Sequence, residues 1–210
     1  MLMLRDSPDC DAMQAQWEVL QEALAKGTTR SIGVINYCEG SLKCLLETAK
    51  VKPAINYYMV HVGMGQNPTL ISLSKFCDEN GIRTFGYGAV GEPGPNAELF
   101  NSPILKNIGK NHGDKAPEEV ALRWVIQGGA AVSVRPTTNF GLGVGVCTGV
   151  GTGAGTNGEC AKGLWKRAGV FDWKLTEKGM AELTDCHGWT LMTTLLCFRQ
   201  LVVRVHMVHR

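Results

Sequence analysis

Two patterns of apolar and polar residues alternate along the chain. One is a short run of β-branched residues, and the other is a longer stretch in which apolar residues recur at helical spacing. The clearest example is residues 30–37, an apolar run that ends in Asn36 and Tyr37 and gives way to leucines at helical spacing. A buried parallel strand whose C-terminal end delivers a polar residue into a site has this pattern. We therefore predict a strand followed by a helix here, with Asn36 at the end of the strand.

The same strand-helix unit recurs before and after this stretch. Helical patterns stop at Gly27 and Gly81, where glycine suits the left-handed C′ position, and one begins at Asn67 and Pro68, an N-cap and N1 pair. The helix that follows is predicted to bury Leu70, Ile71, Leu73 and Phe76. The first strand is predicted to be the end of a buried one. About four β-α repeats predict an α/β fold in which helices cover a parallel sheet, with further strands at about residues 1–4, 54–60, 82–88 and 130–135.

The pattern degrades after residue 135. Residues from about 140 to 163 are rich in glycine, and the stretch 149–154 has the form of a dinucleotide-binding fingerprint, but polar residues stand where that motif needs a helix. A flexible insertion is therefore favoured over a phosphate cradle. We predict one domain over residues 1–185 that contains this insertion, and a divergent tail over residues 186–210.

Composition and charge exclude several classes of function. The net charge is +2, no basic patch is interleaved with aromatic residues, and no apolar run is long enough to span a bilayer. We therefore expect neither a nucleic acid nor a membrane as a partner. None of the eight cysteines forms a Cys-x-x-Cys pair. This favours buried thiols in a reducing compartment, the cytoplasm, over a zinc site or a disulfide framework.

Five stretches, in this order along the chain, resemble motifs of the aldo-keto reductase family. They are similar to its SIGVSNF strand, its PAVNQVE strand, its YSPLG strand end, its LRWxxQ helix and its VFDFxLT segment, and they cover residues 30–37, 53–61, 87–91, 121–127 and 170–176. The resemblance extends from residue 1 to about residue 183. It implies the C-terminal portion of a (β/α)8 TIM barrel, about its last four to five βα units.

The family reduces aldehydes or ketones to alcohols with a hydride from NADPH. The resemblance therefore implies an NADPH-dependent oxidoreductase that acts on a small-molecule carbonyl substrate. In the family a tyrosine, aided by lysine, aspartate and histidine, protonates the carbonyl oxygen. The first three lie on strands that precede the part matched here, and the place of the histidine falls at Arg5, which cannot act as a neutral acid. The resemblance thus implies no catalytic residue in this chain.

The resemblance carries over residues that bind the nicotinamide. Asn36 matches an asparagine that binds the carboxamide, and its alternative role is that of a helix cap. Tyr57 stands where the family has a glutamine, a departure that removes an amide contact from the predicted site. Tyr87 matches the tyrosine that stacks on the nicotinamide face, and its alternative role is packing in the core.

Residues after the last predicted strand are candidates for binding the adenosine phosphate. The family has Lys-Ser there, which grips the 2′-phosphate, and this chain has Arg135-Pro136-Thr137-Thr138. Arg135 could pair with a phosphate through its guanidinium, with Thr137 and Thr138 as hydroxyl donors, or it could be solvated. The implied cofactor is NADPH.

A partial barrel leaves strand edges and an apolar interior exposed. We therefore expect this chain to form a homodimer or to pair with a missing N-terminal half, and we expect no carbonyl reduction by the chain alone. The alternative hypothesis is a catalytically inactive β/α-barrel pseudo-enzyme, or a regulatory subunit that binds nucleotide and acts by association.

Overall fold

A computed structural model describes residues 1–64, 67–90, 99, 101–134 and 169–185. The predicted Gly-rich insertion and the predicted tail lie outside these residues. Strands and helices alternate, and the strands are β1 (Leu2–Arg5), β2 (Ile32–Ile35), β3 (Ile55–Met59), β4 (Arg83–Tyr87) and β5 (Ala131–Val132). The helices are α1 (Cys10–Ala25), α2 (Glu39–Leu46), α3 (Pro68–Glu79), α4 (Pro103–Lys110), α5 (Pro117–Gln127) and α6 (Glu177–Thr184).

The strands follow one another in the sheet in chain order, from β1 to β5. β1 pairs with β2 in parallel, with Leu4 opposite Val34, and β2 pairs with β3 in parallel, with Val34 opposite Asn56. Gly33 permits the close approach of β2 to β3, since a Cβ there would lie 2.8 Å from Cγ1 of Ile55. Parallel strands joined by helical crossovers confirm the predicted α/β class.

The described residues fall into two compact units. The first contains Met1–Met59 and Asn67–Phe85, and the second contains residues 60–64 and the described residues from Gly86 onwards. The first unit therefore holds β1, β2 and β3 with α1, α2 and α3, while the second holds the last three helices and β5.

In the first unit, α1 is bound to the segment that follows α2. Asp9 caps α1 by accepting a hydrogen bond from the backbone N–H of Ala12 at 3.1 Å. The indole Nε1 of Trp17 donates to the carbonyl of Val51 at 3.0 Å, and Oε1 of Gln21 accepts from the N–H of Val51 at 2.8 Å. These bonds fix the stretch of chain that leads into β3.

The buried face of α3 differs in part from the predicted one. The N-cap at Asn67 is confirmed, because its side chain accepts hydrogen bonds from the first backbone N–H groups of the helix. The burial of Ile71 is wrong, since this side chain is 53% exposed. The predicted burial of Leu70 and Leu73 is confirmed, while Phe76 is only half-buried. Cys77 completes the buried face, and the spacing of three and four residues keeps Leu70, Leu73 and Cys77 on one side of the helix.

The prediction that the first strand is buried is also wrong. Leu2 is 43% exposed and Met3 is 40% exposed. Within the described residues, β1 ends the strand order and pairs with β2 alone. A strand at the edge of a sheet buries its side chains less completely than a central strand does, and the apolar pattern of four residues does not distinguish the two.

In the second unit, α5 binds the segment that leads into α6. Nη1 of Arg123 donates to the carbonyl of Val170 at 2.9 Å. The amide of Gln127 donates to the carbonyl of Leu175 and accepts from its N–H, both at 2.9 Å. The LRWxxQ and VFDFxLT resemblances therefore fall on two segments that bind each other.

The apolar faces of α4, α5 and α6 share a buried cluster in the second unit. Its members include Leu99, Leu105, Val120, Leu175 and Leu183. Removal of this apolar surface from water holds the three helices together. Throughout the described ranges, each helix lacks the combination of length and apolar character that a membrane crossing requires.

Candidate functional site

The turn between β2 and α2 places Asn36 in an uncommon backbone conformation. β2 ends at Ile35, Asn36 has a φ of 57°, and α2 begins at Glu39 with Cys38 in the N-cap position. Among residues other than glycine, asparagine and aspartate tolerate this left-handed conformation best. The alternative interpretation of Asn36 as a helix cap is wrong, because the cap lies two residues further on.

The structure brings Asn36 and Tyr57 together. The backbone N–H of Asn36 donates to the carbonyl of Tyr57 at 2.9 Å, one residue beyond the pair that Ile35 forms with Tyr57 in the sheet. The half-buried Tyr57 ring packs edge-on against the ring of Phe85, with the centroids 5.2 Å apart. Tyr57 thus supplies an aromatic ring at this position, and not the amide of the family's glutamine.

Asn56, a residue that the sequence analysis missed, holds the other side of the turn. It is fully buried in β3, and its Nδ2 donates to the carbonyl of Tyr37 at 2.8 Å while its Oδ1 accepts from the N–H of Tyr37 at 3.3 Å. A buried amide needs partners for its polar atoms, and these two bonds supply them. The signal in the sequence was a polar side chain at the centre of an apolar strand.

Tyr37 and Asp6 interact next to this turn. Tyr37 is fully buried, and its burial, followed by the negative charge of Asp6, raises the pKa of the phenol well above its usual range. The backbone N–H of Asp6 donates to the carbonyl of Ile35 at 3.2 Å, which extends the pairing of β1 with β2. Arg5, at the place of the family's histidine, is the last residue of β1 and is exposed. Its guanidinium stays charged and does not replace an imidazole as an acid.

Tyr87 is the last residue of β4 and belongs to the second unit. Its carbonyl accepts from the N–H of Val60 at 3.0 Å, and its side chain is half-buried. Its contact with a nicotinamide ring stays a prediction. Arg135, Thr137 and Thr138 lie outside the described residues, so their contact with a phosphate stays a prediction as well.

The expectation that the cysteines are thiols is wrong for Cys10, Cys38 and Cys44, which are disulfide-bonded. Cys10 and Cys44 form a disulfide with each other that joins the first residue of α1 to α2. Cys77 is a free, fully buried thiol, and burial raises its pKa to about 11. Because disulfides persist mainly in oxidising compartments, the Cys10–Cys44 bond removes one argument for the cytoplasm, which stays a prediction. Among the residues described, no group of three His, Cys, Asp or Glu side chains is placed to hold a metal ion.

Comparison with known proteins matches residues 2–139 to the model of the Aldo/keto reductase family. The aldo-keto reductase family 4 member C11 of Arabidopsis thaliana is 34% identical over 124 residues, which are 58% of this chain and 38% of the relative. The NADP-dependent D-sorbitol-6-phosphate dehydrogenase of Malus domestica is 30% identical over 127 residues, 58% of this chain and 39% of that protein. The chain thus spans about two fifths of the length of these relatives.

A solved aldo-keto reductase from a Medee basin deep-sea metagenome library has a similar fold. Its TM-score is 0.68 at 20% sequence identity, and the match covers 88% of this chain and 58% of that one. A likeness at this identity shows the fold alone, and it confirms the expected partial (β/α)8 TIM barrel. In such barrels functional residues stand at the C-terminal ends of strands. Asn36 and Tyr87 have such positions, since Asn36 directly follows β2 and Tyr87 is the last residue of β4.

Proposed function

This chain belongs to the aldo/keto reductase family, and from that premise we propose that it binds NADPH and serves the reduction of aldehydes or ketones to alcohols. The observation that carries the proposal is the left-handed turn at Asn36, which follows β2 where the resemblance expects the nicotinamide contact. The NADP dependence in the name of the Malus domestica relative supports the choice of cofactor.

The donor chemistry of the β2–α2 turn suits a nicotinamide. The backbone N–H of Asn36 is already bound to the carbonyl of Tyr57, so a contact with the cofactor would come from the side chain. An asparagine side chain has an N–H donor group and a carbonyl acceptor, and a carboxamide presents the complementary pair. Tyr57 adds an aromatic ring next to this turn, and an aromatic ring suits flat contact with a nicotinamide. The family resemblance separately assigns that contact to Tyr87. Bound NADPH would supply the hydride, while the protein residues bind and orient it.

We assign the adenosine 2′-phosphate to Arg135, with Thr137 and Thr138 as hydroxyl donors. A guanidinium forms paired hydrogen bonds with phosphate oxygens, and threonine hydroxyls can donate to the remaining oxygens. The assignment predicts that NADPH binds more tightly than NADH, because NADH lacks this phosphate.

We further propose that the 210-residue chain alone binds the cofactor without reducing a carbonyl. Arg5 carries a permanently charged guanidinium, and the Tyr37 phenol is fully buried and raised in pKa. Neither side chain is suited to give a proton to a substrate oxygen in water-accessible space. With these two side chains excluded, we expect the proton donor to come from the strands that the family resemblance places before the matched part, on another chain or segment.

The rival function is a non-catalytic β/α-barrel subunit that binds nucleotide and acts by association. Two departures from the family favour it, the arginine at position 5 and the tyrosine at position 57. The exposed Leu2 and Met3 on β1 support association at this strand, either between two copies or with a separate half of the barrel.

Titration of NADPH into the purified chain tests the cofactor proposal. We expect the nucleotide fluorescence to change saturably and the tryptophan fluorescence to fall, with weaker binding of NADH. Absence of NADPH binding by the folded chain would overturn the proposal. Equal affinity for NADH and NADPH would overturn the assignment of Arg135, Thr137 and Thr138 alone.

Turnover and molecular mass separate the two functions. Consumption of NADPH on addition of a simple aldehyde would contradict the expectation that the chain alone is inactive, and it would remove the rival. Binding of NADPH without its consumption fits both functions. The molecular mass of the chain in solution, measured by light scattering, then shows whether the chain associates. A homodimer supports association through β1, and substitution of Leu2→Lys is expected to shift it towards a monomer.

A further inference from the structure

We propose that Asn56 is a positioning residue of the nicotinamide site, whose buried amide fixes the peptide group after Asn36 and so directs the Asn36 side chain. The inference rests on the proposed function, since it assumes that Asn36 contacts the cofactor. It adds a residue that acts on this contact without touching NADPH.

Both polar atoms of the Asn56 side chain form hydrogen bonds within the protein. Its side chain is fully buried, Oδ1 accepts from the N–H of Tyr37 at 3.3 Å, and Nδ2 donates to the carbonyl of Tyr37 at 2.8 Å. Nδ2 also lies 4.0 Å from Sγ of Cys77, a weak acceptor. Asn56 therefore acts through the turn and not by contact with a ligand.

The bonds from β3 hold the peptide groups on both sides of Asn36. The peptide before it is fixed because the N–H of Asn36 donates to the carbonyl of Tyr57 at 2.9 Å. The peptide after it is fixed because the N–H of Tyr37 donates to Asn56. The φ and ψ angles of Asn36 are thus set from the two ends by one strand.

This hold is needed because the left-handed conformation of Asn36 is not the one that an asparagine populates most. Its φ of 57° lies in a region that asparagine tolerates better than most residues but that costs more than the right-handed or extended regions. If Asn56 releases the peptide of Tyr37, Asn36 can relax to a right-handed or extended conformation. Its Cβ and amide then point in another direction, and the contact with a carboxamide is lost.

Two substitutions of Asn56 test the proposal. Asn56→Asp keeps the size and the acceptor for the N–H of Tyr37, and its ionised form faces the carbonyl of Tyr37 with a negative oxygen, so one hydrogen bond becomes a repulsion. Because burial favours the protonated carboxyl, this variant is measured above neutral pH. Asn56→Ser is neutral, and its side chain is too short to reach both the N–H and the carbonyl of Tyr37. It tests the role of Asn56 if the aspartate variant does not fold. Tyr58→Phe is the matched control, because it removes a buried hydrogen bond of the same strand, between the Tyr58 hydroxyl and Oγ1 of Thr84 at 3.0 Å.

The expected result is a selective loss of nicotinamide binding. Both Asn56 variants should bind NADPH about tenfold or more weakly than the wild type while their affinity for 2′,5′-ADP, which lacks the nicotinamide half, is unchanged. The N–H of Tyr37 should exchange its hydrogen faster in Asn56→Ser, whose side chain is too short to keep the acceptor that Oδ1 of Asn56 supplies. Combined with Asn36→Gly, Asn56→Ser should cause no further loss of NADPH affinity, because it acts through Asn36. Tyr58→Phe should leave both affinities unchanged.

Several outcomes would overturn the proposal, and they are distinguishable from failure of the proposed function. If wild-type chain does not bind NADPH, the cofactor proposal fails and the role of Asn56 fails with it. If wild-type chain binds NADPH and the Asn56 variants bind it equally well, only the role of Asn56 fails. Parallel loss of 2′,5′-ADP affinity, or additive losses in the double variant, would show a general structural role instead.

Discussion

Among single residues, Asn36 combines a backbone conformation and a side chain that two substitutions can separate. Asn36→Gly keeps the φ of 57° accessible and removes the amide, whereas Asn36→Ala removes the amide and adds the cost of left-handed alanine, about 1 kcal/mol. We expect only Asn36→Ala to unfold at lower urea concentration than the wild type. Both variants should bind NADPH about tenfold or more weakly, measured by fluorescence titration.

Asn80→Ala is a suitable control for the binding experiment. It removes a side-chain hydrogen bond of similar kind, from Nδ2 of Asn80 to the carbonyl of Phe76 at 2.9 Å, at the end of α3. Equal stability of the two Asn36 variants would contradict the backbone argument. Unchanged NADPH affinity in both would contradict the role of the Asn36 side chain.

The burial of His61 predicts that the free energy of unfolding depends on pH. The side chain is 5% exposed, and burial lowers its pKa to about 4 from 6.5. Between these values the unfolded chain binds a proton that the folded chain does not bind. The contribution of neutral His61 is therefore complete above pH 6.5 and is lost as the pH falls towards 4, by up to about 3 kcal/mol.

Urea unfolding of wild type and His61→Gln across this pH window checks the prediction. Nδ1 of His61 accepts from the N–H of Gly63 at 3.1 Å, and the glutamine side chain retains an acceptor oxygen without titrating. The free energy of unfolding should therefore fall less steeply in the variant as the pH is lowered. Identical slopes in the two proteins would show that His61 does not carry the effect.

At the scale of elements, the bonds from α5 to the segment before α6 are a test of how the second unit is held. Gln127→Ala removes two hydrogen bonds to the backbone of Leu175 and leaves that backbone without them, so we expect the free energy of unfolding to fall by about 2 kcal/mol. Gln16→Ala, on the exposed face of α1, should change it by less than about 0.5 kcal/mol. A similar small effect of both would mean that Gln127 is not important for this attachment.

Element boundaries could be predicted where a local residue type sets them. Gly27 and Gly81 follow α1 and α3 with positive φ, and Asn67 caps α3, as those residue types indicate. The exposure of Ile71 could not be predicted in the same way, because two apolar residues in succession do not reveal which of them faces the sheet. That choice is made by packing and not by helical propensity.

The candidate site was predictable in part for a related reason. The place of Asn36 follows from the pattern of a strand end and from the family resemblance. The role of Asn56 depends on the register that sets Val34 opposite Asn56, and parallel strands separated by a helix carry no local signal of their register. The Cys10–Cys44 pair likewise depends on how α1 lies against α2, which spacing along the chain does not contain.

At the scale of the whole molecule, the Cys10–Cys44 disulfide closes a loop over a sequence separation of 34 that contains β2 and the Asn36 turn. Restriction of the unfolded chain by a loop of this size stabilises a protein by roughly 3–4 kcal/mol. We expect the variant Cys10→Ala/Cys44→Ala to lose about this amount, measured by urea unfolding without reductant.

Gln14→Ala provides the matched control for this loss. It removes another link between the same two helices, the hydrogen bond from Nε2 of Gln14 to the carbonyl of Cys44 at 2.8 Å, and should cost about 1 kcal/mol. A double cysteine variant that is no less stable than Gln14→Ala would contradict the contribution of the disulfide. Peptide mapping under non-reducing conditions should recover the two cysteines in one cross-linked product.

This covalent loop also changes what a damaged molecule looks like. A protease that cuts the backbone between Cys10 and Cys44 leaves two pieces that remain joined through sulfur, so the nicked chain keeps its size on a non-reducing gel and gains only the mass of one water. A sample that looks whole by size can therefore already be severed beside the Asn36 turn, and intact-mass spectrometry would reveal the cut before any loss of binding is assigned to a mutation.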